Sequence, residues 1–414
     1  MGKRRVVVTG IGVIAPNGIG KDAFWDACVN GKSGIGLVSR FDASDFPTKI
    51  AGEVKNFSPH DYMTPKEARR IDRFAHFAIA SSILAVKDTN LIIDNNNSEN
   101  IGVVIGTSTA GLGYAEEQYK LFTESGYKKI NPFAVASIIT ASSASEVSLH
   151  LGVKGPSLIL STACASGTNA VGYAAQLIQN GDIDMMIAGG AEAPIFPFSF
   201  AIFCASRVLS TRNNEPEKAC RPFDKDRDGT VISEGAGMLI LEDLDHALKR
   251  KAPIYAEIVG FGSTCDAFGA IKQEPTGGQA ERAMRLALKT AGINPEDIDY
   301  INAHGSSTIQ NDKIETDIIK DVFGKHAYKL AISSTKSMIG HLQGGCAGPE
   351  IIATCLAIKE GIIPPTINLD NPDKDCDLDY VPNKSRKKSI KYALKNTFGF
   401  GGKNAAIVLK LFGL

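Results

Sequence analysis

The sequence predicts an α/β fold in which strands and helices alternate, and three observations lead to that prediction. Short apolar runs recur along the chain, segments of helical length separate many of them, and glycine makes up 41 of the 414 residues. Val-rich runs bounded by glycine are typical of strands covered on both faces, and abundant glycine indicates many tight turns. We therefore expect an α/β architecture with largely parallel sheets.

Each predicted strand is a short apolar run that stops at glycine or at polar residues. The first lies at residues 5–10 and ends at a glycine turn before another apolar run at 11–16; the later strands lie at 101–105, 157–161, 185–188, 237–241, 300–303, 330–333 and 405–411. Two helices are predicted between strands, at 165–179 before Asn180-Gly181 and at 278–291 before Gly292, because glycine commonly follows a helix end.

A third helix is predicted from its start. Thr64 can cap it, Pro65 occupies the first helical position, and Glu67 completes a capping box. Continued through residue 73, this helix places four basic side chains on one face, namely Lys66, Arg69, Arg70 and Arg73. A solvated face is the ordinary explanation of such a stripe, and an acidic partner that neutralises it is the alternative.

Composition excludes several classes of function. The 45 basic residues balance 45 acidic ones, and zero net charge argues against general nucleic-acid binding. No apolar run approaches the roughly 20 residues of a membrane span, and no signal-peptide pattern precedes Val6. None of the eight cysteines forms a C-x-x-C pair, so we expect reduced thiols in a cytoplasmic protein.

Cys164 is the best candidate for a nucleophile. It lies among small residues, in Ser161-Thr162-Ala163-Cys164-Ala165-Ser166-Gly167, between a predicted strand and a predicted helix. The free N–H groups and the dipole at a helix N-terminus stabilise a thiolate, and small neighbours leave room for an acyl substrate. The alternative is a small buried cysteine at a crowded junction.

Two of the seven histidines follow predicted strands among small residues. His304 stands in Asn302-Ala303-His304-Gly305, and His341 stands in Ser337-Met338-Ile339-Gly340-His341. Strand ends are where α/β proteins place their active sites. A thiolate can accept an acyl group from a thioester, and two imidazoles can donate hydrogen bonds to an enolate oxygen. Zinc binding is the rival interpretation, but no fourth ligand stands at a plausible spacing, and we expect neither a metal nor another cofactor.

A glycine-rich segment at residues 398–404 predicts a tight turn whose backbone N–H groups face a reacting carbonyl. As a phosphate loop it is a poor match, because Lys403 precedes Asn404 rather than Ser or Thr. A charged segment at residues 243–253 separates two α/β halves. We predict an N-terminal half at residues 1–250, which carries Cys164, and a C-terminal half at residues 251–414, which carries both histidines.

With these residues assembled, the chain resembles the β-ketoacyl-acyl-carrier-protein synthases, especially the synthase II branch of the thiolase superfamily. The resemblance covers essentially the whole length, and its most specific segments are residues 155–157, 162–165, 221–229, 302–305, 335–338, 340–342 and 398–402. It implies a five-layered αβαβα sandwich of two related halves. It also implies a homodimer, a heterodimer being the alternative, and a Claisen condensation that extends an acyl chain by two carbons.

The resemblance also implies a role for each site residue. Cys164 would accept the acyl group, His304 and His341 would stabilise the enolate from malonyl-carrier decarboxylation, and Lys336 would tune the histidine environment. The N–H groups of Cys164 and Phe400 would form the oxyanion hole, Phe400 would act as a gate, and Glu315 would support the site from behind. The acidic acyl carrier protein would dock on basic residues, namely Lys66, Arg69, Arg70, Lys128, Lys129 and Arg207.

The sequence departs from synthase II enzymes around the acyl pocket, to which we assign Thr109, Phe203 and Thr230. Thr109 stands where these enzymes commonly have isoleucine, and Thr230 stands where they have phenylalanine. These changes leave room for a ketosynthase of polyketide or polyene metabolism as the alternative to fatty-acid elongation. A scaffold or heterodimer partner with a vestigial site is the hypothesis from another class of function.

Overall fold

A computed structural model describes residues 3–413, in which helices pack on both faces of one long mixed sheet. The strands are β1 (Val6–Ala15), β2 (Gly18–Ile19), β3 (Gly36–Leu37), β4 (Ile50–Ala51), β5 (Ile101–Gly106), β6 (Ser157–Leu160), β7 (Met185–Glu192), β8 (Gly235–Asp243), β9 (Ala256–Cys265), β10 (Tyr300–Asn302), β11 (Ala331–Ser333), β12 (Ile362–Ile363), β13 (Arg386–Lys387), β14 (Tyr392–Gly399) and β15 (Lys403–Lys410). The α-helices are α1 (Lys21–Val29), α2 (Pro65–Ala68), α3 (Arg73–Asp88), α4 (Leu112–Ser125), α5 (Ala134–Ile138), α6 (Ser142–Leu151), α7 (Ser166–Asn180), α8 (Pro197–Ala205), α9 (Leu244–Lys249), α10 (Gly278–Ala291), α11 (Ile309–Phe323), α12 (Lys336–Ile339) and α13 (Ala347–Glu360).

The long sheet is mixed, so the expectation of largely parallel sheets is wrong. Its strands follow the order β11-β10-β14-β15-β9-β1-β8-β7-β5-β6. Pairing is parallel towards both ends, at β10 with β11 and β14 and at β5 with β6 and β7. Pairing is antiparallel through the middle, from β7 to β8, β1, β9, β15 and β14. The physical reason is visible at β14 and β15, since a turn as short as the one from Gly399 to Lys403 can join only antiparallel strands.

The same strand order occurs twice along this path. If the five strands of each half are numbered 1 to 5 in chain order, both halves have the order 3-2-4-5-1. The first half runs β6-β5-β7-β8-β1, and the second half runs β11-β10-β14-β15-β9. The halves meet where β1 pairs with β9 through Val6, Val7 and Val8. The predicted boundary at residues 250 and 251 falls in the connection between α9 and β9, and it stays a prediction.

The helices complete five layers. α3 and α6 pack on the outer face of the first half, α7 and α13 lie between the two halves, and α10 and α11 pack on the outer face of the second half. Every residue of α13 from Ala347 to Ile358 is buried, as a helix covered by both halves of the sheet requires. The αβαβα fold class is therefore confirmed.

The first strand shows what its glycines do. β1 continues through Gly10 and Gly12 without turning, so the glycine turn expected at this point is wrong. A Cβ on Gly10 would lie 2.4 Å from the carbonyl oxygen of Ala85, and one on Gly12 would lie 2.0 Å from that of Ser81. These glycines therefore let α3 approach the sheet closely. The other predicted strands and the helices predicted at 165–179 and 278–291 are present as α7 and α10, but the long-sheet strands β9 and β14 were not predicted.

The predicted basic helix is wrong after its first turn. The capping box of Thr64 and Glu67 is present, but α2 ends at Ala68. Asp72 then caps a new helix by accepting the N–H of Phe74, which breaks the predicted helix face. Arg73 begins α3 and turns inward to Glu234, whose carboxylate lies 2.6 Å from its guanidinium.

Within residues 3–413, the structure contains no helix that is both long and apolar enough to span a membrane.

Candidate active site

Cys164 lies in a tight turn between β6 and α7. Ala163 adopts φ +51°, and Ser166 closes the turn by accepting the N–H of Thr162 at 2.8 Å and donating its hydroxyl to the carbonyl oxygen of Ala163. α7 begins two residues after Cys164. The cysteine is 7% exposed, so the turn presents its thiol at the floor of a cavity rather than to open solvent.

The structure brings the two predicted histidines to this cysteine. His304 follows β10, His341 follows β11, and Cys164 follows β6, each beyond the carboxyl end of a parallel strand. All three line one cavity of about 200 Å³. The two imidazole centroids lie 5.3 Å apart with their planes nearly perpendicular. One small atom of a substrate in this cavity can therefore contact both rings.

The backbone fixes which nitrogen of His341 carries its proton. The N–H of Gln343 donates to Nδ1 of His341 at 3.1 Å, so Nδ1 is an acceptor and Nε2 carries the hydrogen in the neutral ring. Gln343 also places its side-chain Oε1 3.9 Å from the Sγ of Cys164. Sequence reasoning missed Gln343, because nothing in its local sequence marks it as part of the site.

Glu315 holds the loop that carries His304. Its carboxylate accepts the backbone N–H groups of His304 and Gly305, both at 2.7 Å, and the side-chain amide of Asn396 at 2.6 Å. Burial raises the pKa of Glu315, while these hydrogen bonds lower it. Its supporting role stays a prediction, and these contacts show how Glu315 would play it, by holding the backbone of the His304 loop.

Lys336 lies beneath the histidines and does not face solvent. Its Nζ donates to the carbonyl oxygen of His304 at 2.8 Å and pairs with Glu350 at 2.5 Å. Glu350 also meets the Nζ of Lys395 at 3.0 Å, and all three side chains are fully buried. Glu350 and Lys395 were not predicted. The one available signal is the charge of Glu350 within the apolar part of α13, since Lys395 is followed by the polar Asn396 and Thr397 in its strand.

The site is electrostatically neutral at its reacting groups. Burial and the nearby Lys336 ammonium lower the pKa of His304 and His341 well below 6.5. Burial raises the pKa of the Cys164 thiol to about 11, against the opposing effects of Lys336 and the N–H groups of Phe400 and Cys164. The N–H groups that favour the thiolate belong to Phe400 and to Cys164 itself rather than to the first turn of α7, and burial outweighs them. At neutral pH the cavity therefore holds a thiol and two imidazoles that can donate hydrogen bonds.

The glycine-rich segment forms the turn between β14 and β15 and packs directly on the nucleophile. A Cβ on Gly399 would lie 2.9 Å from the backbone nitrogen of Cys164, so only glycine allows this approach. Gly401 and Gly402 turn the chain at φ +71° and +67°. The backbone N–H group of Phe400 lowers the pKa of the Cys164 thiol, and Phe400 lines the same cavity as Cys164. The roles of Phe400 as oxyanion donor and gate stay predictions.

Two of the three residues assigned to the acyl pocket line the cavity. Phe203 and Thr230 are among its walls. Thr109 lies instead on the buried carboxylate of Glu192, to which its hydroxyl donates at 2.6 Å. Glu192 also accepts the N–H of Gly344 at 3.2 Å, and so ties the Thr109 loop to the segment that follows His341. A role for Thr109 in the acyl pocket stays a prediction.

The residues predicted to dock a carrier protein lie at three places on the surface. Lys66 and Arg69 are exposed around the end of α2, Lys128 and Lys129 are exposed after α4, and Arg207 is exposed after α8, beside the cavity residue Val208. Arg70 is half-buried, and its guanidinium lies 4.0 Å from the ring centroid of Phe133, four residues after Lys129. Among residues 3–413, no three His, Cys, Asp or Glu side chains are grouped so as to hold a metal ion.

Comparisons with known proteins agree with this arrangement. Residues 3–247 match the family model of the β-ketoacyl synthase N-terminal domain, and residues 255–370 match that of its C-terminal domain. The chain is 49% identical to a 3-oxoacyl-[acyl-carrier-protein] synthase 2 of Synechocystis sp. and 46% identical to one of Coxiella burnetii, each over 99% of both chains.

Solved structures give the same result at lower identity. One is described as a type II polyketide synthase acyl-carrier protein in complex with its ketosynthase bound to the hexaketide; it matches with a TM-score of 0.91 and 37% identity, over 99% of both chains. The ishigamide ketosynthase/chain length factor matches with a TM-score of 0.92 and 34% identity, over 99% of this chain and 100% of that one.

Proposed function

The chain belongs to the β-ketoacyl synthase family, and we propose that Cys164, His304 and His341 carry out its condensing reaction. The enzyme is an acyltransferase that elongates fatty-acid chains by decarboxylative condensation of an acyl group with a malonyl unit. One observation carries the assignment of residues: a buried thiol and two neutral imidazoles line the same cavity at the carboxyl ends of parallel strands.

In the first half-reaction, the sulfur of Cys164 attacks the thioester carbonyl of the acyl substrate. The oxygen gains negative charge in the tetrahedral intermediate, and the N–H groups of Cys164 and Phe400 donate hydrogen bonds to it. The intermediate collapses by expelling the carrier thiolate, which takes up the proton that the Cys164 thiol loses. The products are an acyl-enzyme and a free carrier thiol.

In the second half-reaction, a malonyl thioester enters the same cavity and loses CO₂. The electron pair of the broken C–C bond moves into the thioester carbonyl, and the enolate oxygen accepts hydrogen bonds from the neutral imidazoles of His304 and His341. The enolate carbon then attacks the acyl group on Cys164. Collapse expels the cysteine thiolate, which takes one proton from the solvent, and the product is a β-ketoacyl thioester two carbons longer.

The substrates are bound to acyl carrier protein through phosphopantetheine. This proposal rests on the basic docking residues around Arg69 and Arg70 and on the names of the relatives. The solved complex of a carrier protein with its ketosynthase gives it further support. A polyketide or polyene ketosynthase is the second candidate, and Thr230 in the cavity wall favours it.

The enzyme is a homodimer in the cytoplasm. Support for a second copy comes from β6, which ends the long sheet and leaves Leu158 48% exposed, beside Leu149 of α6 at 76%. An apolar edge strand of this kind needs a covering partner. We expect light scattering to give twice the chain mass and Leu158→Lys to give the monomer. A monomeric parent chain would refute the homodimer, and a dimer that forms only with a different ketosynthase chain would favour the heterodimer.

The cysteines support the proposed location in the cytoplasm. All eight cysteines are free, which suits a reducing compartment.

Intact-mass spectrometry tests the proposed nucleophile. After incubation with an acyl-carrier protein, the parent chain should gain the mass of one acyl group and lose it when malonyl-carrier protein is added. Cys164→Ala should gain nothing, while the control Cys265→Ala, which removes an exposed thiol, should behave as the parent. An acyl adduct that persists in Cys164→Ala would refute the assignment. An adduct that is extended only after a second ketosynthase is added would favour the vestigial-site hypothesis.

A further inference from the structure

Lys395 is a buried cation that the proposed reaction does not yet use. It lies on β14, five residues before Phe400, and its side chain is fully buried. Its Nζ lies 3.0 Å from Oε2 of Glu350, 3.1 Å from the hydroxyl of Thr397, and in hydrogen-bond contact with the carbonyl oxygen of Asn396. The hydroxyl of Thr397 also forms a hydrogen bond of 2.8 Å with the hydroxyl of Thr168 on α7. Polar groups therefore hold this ammonium in place on several sides.

Two ammonium groups share one carboxylate in this region. Oε1 of Glu350 pairs with Lys336 at 2.5 Å, and Oε2 faces Lys395 at 3.0 Å. Glu315, the other acid close to both lysines, already accepts hydrogen bonds from the His304 loop and from Asn396. A buried charge without a full partner is costly. Burial lowers the pKa of Lys395, Glu350 opposes this effect, and the Lys336 ammonium lowers the pKa further. A second ammonium at this place is therefore held against a cost in free energy, which a role in the reaction would explain.

The reaction to which the Lys395 charge can contribute takes place on the other side of Lys336. The Lys336 ammonium donates to the carbonyl oxygen of His304 at 2.8 Å, and His304 and His341 face the cavity where an enolate forms. We propose that Lys395 is a positioning residue of the decarboxylation step, which shares Glu350 with Lys336 and so holds a second positive charge behind the two imidazoles. This inference rests on the proposed function, because it assigns the charge a role in that reaction.

The charge acts in two ways. It disfavours protonation of both imidazoles, so that they remain neutral donors, and it stabilises the negative charge that develops on the enolate oxygen. Burial, Lys336 and Lys395 all lower the pKa of His304 and His341. Other titratable groups near this cluster include Cys164 at the cavity floor, Tyr300 on β10 and Cys346 at the start of α13. Burial and Glu350 raise the pKa of the Cys346 thiol, while both lysines lower it.

The sign of the effect follows from these contacts. A chain without the Lys395 charge protonates His304 and His341 at higher pH, so decarboxylation is lost earlier as the solution is acidified. Lys395→Met removes the charge at nearly constant length, and Lys395→Gln removes it while keeping hydrogen-bonding groups near Glu350 and Thr397. Lys395→Arg restores a charge. Lys391→Met, at an exposed lysine just before the same strand, is the matched control.

NMR titration of full-length chains labelled with ¹³C-histidine measures the two pKa values directly, with signals assigned from His304→Gln and His341→Gln. Removing the charge should raise both values by about one unit, Lys395→Arg should return them towards the parent values, and Lys391→Met should not change them. The acid limb of malonyl-thioester decarboxylation should shift by the same amount. Folded Lys395→Met and Lys395→Gln chains with unchanged histidine pKa values would overturn the inference. If the parent releases no CO₂ from malonyl-carrier protein, the proposed function fails, while the titration still tests Lys395.

Discussion

Cys164 combines a reactive position with an unreactive protonation state. Burial raises its thiol pKa to about 11, so about one molecule in a thousand holds a thiolate at pH 8. Alkylation by iodoacetamide should therefore quicken about tenfold per pH unit from pH 7 to pH 10 without reaching a plateau. Peptide-resolved mass spectrometry on a Cys265→Ala background measures the rate at Cys164 alone. A plateau near pH 7 would show instead a thiolate that is stable at rest.

Glu315 should matter to stability as well as to activity. Its two carboxylate oxygens accept four hydrogen bonds in a fully buried site, because the side-chain amide of Asn311 adds a fourth, longer one at 3.4 Å. In Glu315→Gln, one oxygen becomes an NH₂ group that faces backbone donors, and the loss of these bonds should cost about 2 kcal/mol of unfolding free energy. Urea titration measures this loss, and activity should fall as the His304 loop loosens. Glu296→Gln, at an exposed position, is the control, and equal stability of the two variants would contradict the expectation.

At the scale of elements, the turn between β14 and β15 and the Cys164 turn act as one unit. Gly399→Ala would place a Cβ 2.9 Å from the nitrogen of Cys164 and 3.3 Å from the Cβ of Ala163, which must displace one of the two turns. Acylation of Cys164 should slow at least about tenfold, with a stability cost of about 1–3 kcal/mol. Stopped-flow acylation and thermal unfolding measure the two effects.

The control for Gly399→Ala is Gly278→Ala at the start of α10. A Cβ at Gly278 meets only the hydroxyl of Thr276, at 3.4 Å, and the backbone there needs no positive φ. This variant should acylate as the parent does. If Gly399→Ala acylates equally fast, the contact between the two turns has no role in presenting the thiol.

Buried polar residues explain why the sequence did not predict β14. β14 contains Lys395, Asn396 and Thr397, which are all buried, so its pattern of apolar residues is interrupted by the polar groups that support the site. The prediction of one helix that carries the basic stripe from Lys66 to Arg73 was wrong for a different reason. Asp72 offers a second helix cap, and periodicity alone could not show that this cap ends one helix and starts another.

At the scale of the whole molecule, the repeated strand order explains why distant residues meet. Cys164 follows the third strand of the first half, and His341 follows the third strand of the second half. With α7 and α13 packed between the halves, these equivalent positions face each other across the centre. The sequence identified each residue from its own strand end, but only the packing of the halves could show the cavity that they share, or that Lys395 lies beneath it.

The carrier-protein prediction also belongs to this scale, because it concerns a surface and not the cavity. Arg69 is exposed, and Arg70 stacks on Phe133 at 4.0 Å, so the pair presents positive charge outside the catalytic residues. Reversing both charges in Arg69→Glu/Arg70→Glu should raise the apparent KM for carrier-bound substrates about tenfold or more and leave small thioester analogues little affected.

The effect should weaken as salt rises, because charges at an exposed interface are screened beyond about 8 Å at physiological ionic strength. Steady-state kinetics with both kinds of substrate at low and high salt measures it. Lys325→Glu/Lys329→Glu, at exposed lysines after α11, reverses the same number of charges elsewhere on the molecule and should leave the KM for carrier-bound substrate unchanged. An equal loss of activity with both kinds of substrate would show that Arg69 and Arg70 act through the stability of the fold and not through docking. If both double variants raise the KM for carrier-bound substrate equally, net charge and not this surface determines binding.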